Sequence, residues 1–351
     1  MQKFFSNPQR DDRHIAFWLI VLAIMIYCMV VLGGVTRLTG SGLSIVEWQP
    51  IMGAIPPLNE SQWLKAFAQY QQSPQYQQVN QGMLLSEFKW IFAFEYAHRL
   101  LGRLIGIAFA LPFLYFLFQH KIRRGLIPKL ILLFLLGGLQ GFIGWYMVQS
   151  GLINEPRVSQ YRLALHLSMA ILIYGVILWT AWSLLQPNPR QTWKHEMLSL
   201  RRFSLIVTTT VAIMIISGAF VAGTHAGKVF NTFPLMDGQF IPTGMFALEP
   251  FYRNFFENLA TVQFNHRLLA YLLMLMIPGL WFYARRFSLA PQTRFASHVL
   301  LTVFILQLGL GIATLLNYVP IALGAAHQGG AVLLLTLTLY FNHSLRRSTS
   351  F

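Results

Sequence analysis

The chain has 351 residues, of which 55% are hydrophobic and only 11% charged, with 26 Lys and Arg against 11 Asp and Glu. A soluble domain carries about 25% charged residues. This composition, with a mean hydropathy of +0.53, excludes a disordered chain, a disulfide scaffold and an ordinary soluble enzyme, and points to a polytopic membrane protein in contact with lipid. The net charge of +15 does not call for nucleic acid, because basic residues collect in the cytoplasmic loops of membrane proteins.

A helix needs about 20 apolar residues to cross a bilayer. Eight runs meet that length, over 15–35, 90–118, 127–149, 160–185, 203–223, 255–284, 295–316 and 319–342. The first follows Lys3, Arg10 and Arg13 and leads without a small-residue cleavage site into Gly33-Gly34-Val35-Thr36-Arg37, so it reads as an uncleaved helix. It also holds the single cysteine, Cys28, which leaves no intramolecular disulfide and no cysteine-based metal site. With the N-terminus cytoplasmic, sixteen of the 26 Lys and Arg fall on the cytoplasmic side and seven on the other, while Arg99, Arg103 and Arg267 lie within the runs. The split predicts both termini in the cytoplasm of a bacterial inner membrane protein, with two long loops outside, over 36–89 and 224–254. A loop as long as the first is expected to carry short helices, anchored by apolar residues such as Trp48, Ile51, Trp63 and Phe67. Thr39-Gly40-Ser41-Gly42 reads as a turn, since no phosphate-loop lysine follows it.

The chain repeats itself. An offset of 185 pairs Gly33 with Gly218, Thr39 with Thr224, Gly42 with Gly227 and Pro57 with Pro242. Further on, His98-Arg99-Leu100-Leu101 matches His266-Arg267-Leu268-Leu269, Gln140 and Gly144 match Gln307 and Gly311, and His166 matches His327. Four runs per half is an even number, so both halves insert the same way. The expected fold is all-α, two four-helix bundles related by a pseudo-twofold axis along the membrane normal, divided as 1–186 and 187–351.

Ten histidines occur, and six sit at helix ends or in loops. His98, His166, His266 and His327 lie inside apolar runs, roughly 7–11 residues from the outer end, which at about 1.5 Å per residue places them in one layer toward the outer face. Ionisable groups at such depth are costly and mark function. A lone histidine there could be a helix–helix hydrogen bond, but two matched pairs on facing helices form an axial-ligand arrangement for haem. Arg99, Arg103 and Arg267 suit bidentate binding of haem propionates, with loop carbonyls as the alternative partners. The halves differ at one telling place. Glu95 shares a helix face with His98, whereas its counterpart beside His266 is Gln263, and Arg103 corresponds to Tyr271. A carboxylate in one half only predicts chemistry there and a permanent cofactor in the other, unless Glu95 serves only to pair with an arginine.

Glu95-Tyr96-Ala97-His98-Arg99-Leu100-Leu101-Gly102-Arg103 resembles the Glu-x-x-His-Arg-x-x-Gly-Arg motif of the haem A synthase family. Leu43-Ser44-Ile45-Val46-Glu47-Trp48-Gln49-Pro50, Ile55-Pro56-Pro57, Phe88-Lys89-Trp90-Ile91-Phe92, Asn265-His266-Arg267 and Ala326-His327-Gln328 extend the resemblance over nearly the whole chain. It implies oxidation of the methyl group of haem O to a formyl group, through a hydroxymethyl intermediate, giving haem A for terminal oxidases. It implies haem b held by His266 and His327, and haem O received at His98 and His166 with Glu95 as the catalytic carboxylate. An electron donor such as ferredoxin or quinol, contacts with haem O synthase and oxidase assembly factors, and a homo-oligomer are further family expectations. The first outer loop lacks the cysteine pair of some bacterial members, so the chain resembles the proteobacterial and mitochondrial branch. A bis-His cytochrome b in electron transfer remains the alternative, and a haem-free transporter built from parallel repeats a second.

Overall fold

A computed structural model of the chain describes residues 8–48, 52–153, 155–187 and 195–346. Gln49, Pro50 and Ile51 of the first outer loop, the charged Lys3, Arg190, Lys194 and Arg347, and most of the connection between the halves lie outside the described residues. The described residues are helical, with no strand beyond an isolated bridge between Met236 and Gln239.

Among the described residues, eight helices are long and apolar enough to span a membrane: α1 (Pro8–Leu38), α4 (Leu85–Phe118), α5 (Ile127–Gln149), α6 (Gln160–Leu185), α7 (Met197–Thr224), α9 (Leu259–Ala284), α10 (Pro291–Leu316) and α11 (Ile321–Ser344). Each corresponds to one apolar run of the sequence. Outside them lie α2 (Glu60–Gln71), α3 (Pro74–Gln78) and α8 (Asn254–Glu257). Several helices begin before their apolar runs, α1 by seven residues, α7 by six and α4 by five. Leu84 donates its backbone N–H to the Glu87 carboxylate at 2.8 Å, so the polar stretch before the apolar run is the capped first turn of the helix.

Helix packing follows one pattern in both halves. The first helix of each half packs on the second and the fourth, and the third packs on the second and the fourth: α1 on α4 and α6 with α5 on α4 and α6, then α7 on α9 and α11 with α10 on α9 and α11. This arrangement is compatible with a twofold relation between the halves. The apolar core divides the same way. One buried cluster runs through Leu19, Leu22, Phe113, Leu130 and Ile177, the other through Leu200, Val207, Ile277, Leu300 and Phe341. Contacts of α1 with α11, of α6 with α7 and of α6 with α11 join the two.

Lipid is as apolar as the helix surfaces, so association in a bilayer rests on close contact and buried hydrogen bonds rather than on the hydrophobic effect. Both occur at the junction of the halves. Gln328 of α11 donates to the Val30 carbonyl of α1 at 2.8 Å, and Tyr174 of α6 meets Thr336 of α11 at 2.7 Å. Within the second half, Asn342 donates to Thr208 Oγ1 at 2.6 Å and to the Ser204 carbonyl at 3.1 Å. Each such bond contributes on the order of 0.6 kcal/mol. Arg37, at the end of α1, donates to the Ala222 and Gly223 carbonyls at the C-terminus of α7, where the helix dipole favours a cation.

The first outer loop carries the short helices expected of it. Asn59 caps α2 by accepting the Gln62 N–H at 3.0 Å. Tyr70 of α2 and Phe88 of α4 are fully buried and stack at 5.1 Å, while Trp63 meets Phe92 edge-on at 5.0 Å. This aromatic cluster, which includes Phe67, seats the loop on the outer end of α4. Gly40 closes α1: at φ +68° it lets Ser41 donate back to the Thr36 carbonyl at 2.9 Å, a left-handed helix stop and no phosphate loop.

Candidate functional site

Each half brings one pair of histidines together. His98 of α4 and His166 of α6 are close enough to interact electrostatically, as are His266 of α9 and His327 of α11. All four histidines are half-buried as residues. His166, His266 and His327 lie within two turns of the N-terminal ends of their helices, while His98 is more than three turns into α4 because that helix starts early.

The helices that carry no histidine shape the space around the rings. A Cβ on Gly33 of α1 would stand 3.0 Å from His98 Cε1, and one on Gly144 of α5 3.0 Å from His166 Cε1. In the second half, a Cβ on Gly218 of α7 would stand 3.3 Å from His266 Cε1, and one on Gly311 of α10 2.7 Å from His327 Cε1. Four glycines on four helices thus receive the four rings. In every case Cε1 is the ring atom nearest the glycine, so that corner of the ring enters the notch. The sequence repeat already paired these glycines with one another. Their assignment to individual histidines was hidden, because it depends on contacts between helices.

Glu95, 3% exposed, lies a turn before His98 on α4. Its carboxylate accepts four hydrogen bonds: Ser44 Oγ at 2.7 Å, the Ile45 N–H at 2.8 Å, Arg99 Nε at 3.0 Å and Arg99 Nη2 at 2.6 Å. Two carboxylate oxygens offer about four lone-pair sites, so all are filled. Arg99 goes on to the Ile45 and Glu47 carbonyls at 2.7 and 3.1 Å and lies under the Trp48 ring at 5.1 Å. The segment around 44–48 is therefore fixed to α4 by one ion pair.

The second half makes the same connection without the charge pair. Gln263 donates to the Phe230 carbonyl at 3.0 Å, Arg267 to the Phe230 and Leu235 carbonyls at 2.8 and 3.3 Å, and Tyr271, the counterpart of Arg103, to the Pro234 carbonyl at 2.7 Å. Arg99 and Arg267 thus bind loop carbonyls, the alternative to propionates raised by the sequence, while Arg267 Nε is buried without a partner. Arg103 is half-buried one turn beyond Arg99. At the outer rim, burial and the neighbouring Arg37, Lys228 and Arg157 lower the pKa of His225 to about 4, and the ring meets Arg37 Nη2 through Nε2 at 3.1 Å.

The residues fit a planar iron macrocycle in each half. The donors are imidazoles paired across each bundle, and His98 Nδ1 is buried without a protein partner. Four-coordinate zinc would need further ligands, and among the described residues no group of three or more His, Cys, Asp or Glu could hold a metal ion.

The model of a cytochrome oxidase assembly protein family, COX15-CtaA, matches residues 16–339. The chain is 52% identical over 346 residues to the haem A synthase of Nitrosospira multiformis, covering 97% of each chain. It is 52% identical over 327 residues to that of Nitrosomonas eutropha, covering 93% of this chain and 92% of the relative. The haem A synthase COX15 of Arabidopsis thaliana is 48% identical over 351 residues, covering 97% of this chain and 76% of the relative. On a match that spans all eight membrane helices and the four histidines, the chain belongs to the COX15-CtaA family of cytochrome oxidase assembly proteins.

Proposed function

We infer that this protein is a haem A synthase, an integral membrane oxidoreductase that converts the methyl group of haem O to a formyl group in two successive two-electron oxidations. The observation that carries the reading is a duplicated histidine pair with a buried carboxylate beside only one copy, in a chain about half identical to proteins named for this activity. His266 and His327 would hold haem b. When bound, that group supplies a one-electron carrier between an external donor, such as ferredoxin or quinol, and the first half. His98 and His166 would receive haem O and fix its orientation, with each ring held from behind by its glycine notch.

Glu95 has two candidate roles, proton acceptor or stabiliser of positive charge at the reacting substituent. Its four donors favour the second, because a carboxylate with every lone pair engaged holds its charge in a fixed place. Arg99 and Arg267 would act through the loops they hold, keeping each outer segment over its site and water out of it. The basic residues favour cytoplasmic termini and sites toward the periplasmic side of the inner membrane.

Haem extraction and chromatography of the purified protein test this reading. Haem b together with haem O, its hydroxylated form or haem A is expected. Two equivalents of haem b alone would favour an electron-transfer cytochrome. Colourless protein from haem-replete cells would refute the haem reading altogether.

A further inference from the structure

The second half gathers cations without a counter-charge at the end of the bundle away from the histidines. α9 ends at Ala284, eighteen residues beyond His266, or roughly 27 Å along the helix. There the turn from α9 to α10 closes a cavity of about 370 Å³, lined by Ala284, Arg285, Leu289, Arg294, Ser297 and His298. Its donors are held in place. The Arg285 guanidinium lies over the Trp281 ring at 4.9 Å, and the Trp281 indole N–H donates to His298 Nδ1 at 2.9 Å. A neutral His298 therefore carries its proton on Nε2, which becomes its donor. The Ser297 hydroxyl donates to the Arg294 carbonyl at 2.7 Å, so the donors left to the cavity are the two arginines and His298.

No carboxylate answers these groups. Residues 258–351 contain neither Asp nor Glu, and among the described residues neither Arg285 nor Arg294 enters an ion pair. The first half treats the same place differently. Arg123, in the turn from α4 to α5, pairs there with Asp12 of α1. In the repeat, α7 has Met197 where α1 has Asp12, and the exposed Glu196 before it enters no ion pair among the described residues. One half neutralises its turn from within, and the other leaves the charge to something outside the chain.

We propose that this cavity binds a phosphate group, carried by an anionic phospholipid. The inference does not depend on the haem reading. A phosphodiester offers two charged oxygens to the planar fork of a guanidinium, and basic pockets between membrane helices on the cytoplasmic side bind such headgroups. Phe282 and Phe295 lie one turn from Arg285 and His298 on the same helix faces, and both are exposed. They offer acyl chains an apolar bed beside the headgroup, which favours a lipid over free phosphate.

Native mass spectrometry of the whole chain in detergent tests this, with dioleoylphosphatidylglycerol, dioleoylphosphatidylcholine or inorganic phosphate added. One phosphatidylglycerol should bind in preference to phosphatidylcholine. At about fivefold per cation, Arg285→Gln with Arg294→Gln should weaken that binding roughly thirtyfold. Arg285→Lys keeps the charge without the fork and should weaken it less. Arg201→Gln with Arg202→Gln removes the same charge near the start of α7, outside the cavity, and should leave the binding in place. The wild type alone gives a second readout, a thermal midpoint that phosphatidylglycerol raises and phosphatidylcholine does not. Equal losses in the two double variants, undiminished binding without Arg285 and Arg294, or equal effects of the two lipids would overturn the proposal. Inorganic phosphate bound where phosphatidylglycerol is not would overturn its lipid source.

Discussion

Replacing Glu95 with glutamine tests the division of labour between the halves. The Glu95 and Arg99 side chains are 4% and 10% exposed, so solvent screens their pair only weakly. A glutamine keeps one oxygen, which can serve Ser44 Oγ and the Ile45 N–H, but its NH₂ group then faces Arg99 Nε and Nη2, donor against donor. Arg99 retains the Ile45 and Glu47 carbonyls and loses its counter-charge. Breaking a buried pair on one side costs about 3–5 kcal/mol. Separately, a preorganised charge lost from the transition state costs about 3 kcal/mol of activation free energy, roughly a hundredfold in rate. The assay is haem A formed per haem b, by extraction from membranes expressing Glu95→Gln, beside the reduced-minus-oxidised spectrum. Haem A should fall by about two orders of magnitude. The haem b spectrum should persist, because His266 and His327 sit on helices of the other core cluster. Haem A at the wild-type rate would refute the role given to Glu95.

The glycine notches should differ in tolerance. Gly311→Ala puts a methyl 2.7 Å from His327 Cε1, an overpacking cost of about 1–3 kcal/mol, and should diminish the haem b signal, whereas Gly218→Ala, at 3.3 Å from His266 Cε1, should nearly preserve it. His327→Ala should abolish haem b, and His98→Ala should retain haem b while ending conversion of haem O; both are read from the spectrum and the extracted pigments. Because His225 titrates near 4 in the folded protein, its contribution to stability is complete above its ordinary pKa of about 6.5 and is lost as pH falls toward 4, where a proton displaces the Arg37 contact. Thermal unfolding in detergent should therefore show a midpoint that declines over that window, and His225→Gln should flatten the decline.

Much of the fold was legible in the sequence because a bilayer leaves few choices: an apolar run of sufficient length must be a helix, and four matched segments in each half must repeat one arrangement. The histidine pairs were legible for the same reason, since polar groups stand out against such runs. The start of α4 was not, because Glu87 and Lys89 look like loop until Glu87 is seen capping the helix. The setting of Glu95 was hidden as well. Its partners Ser44 and Ile45 lie about fifty residues away, and nothing in their spacing reports that a loop folds back onto a carboxylate.

Both histidines of each pair belong to the same half, and the glycines that receive them do too. Neither site borrows a ligand across the junction, so a substitution in one needs no matching change in the other. A duplicated bundle built this way can let one copy drift toward retaining its occupant and the other toward releasing it. The contact of α6 with α11, the fourth helix of each half, is one of three walls the two share, beside those of α1 with α11 and of α6 with α7. Tyr174 and Thr336 face each other across the α6–α11 wall, a place where a change in one chamber could be felt in the other.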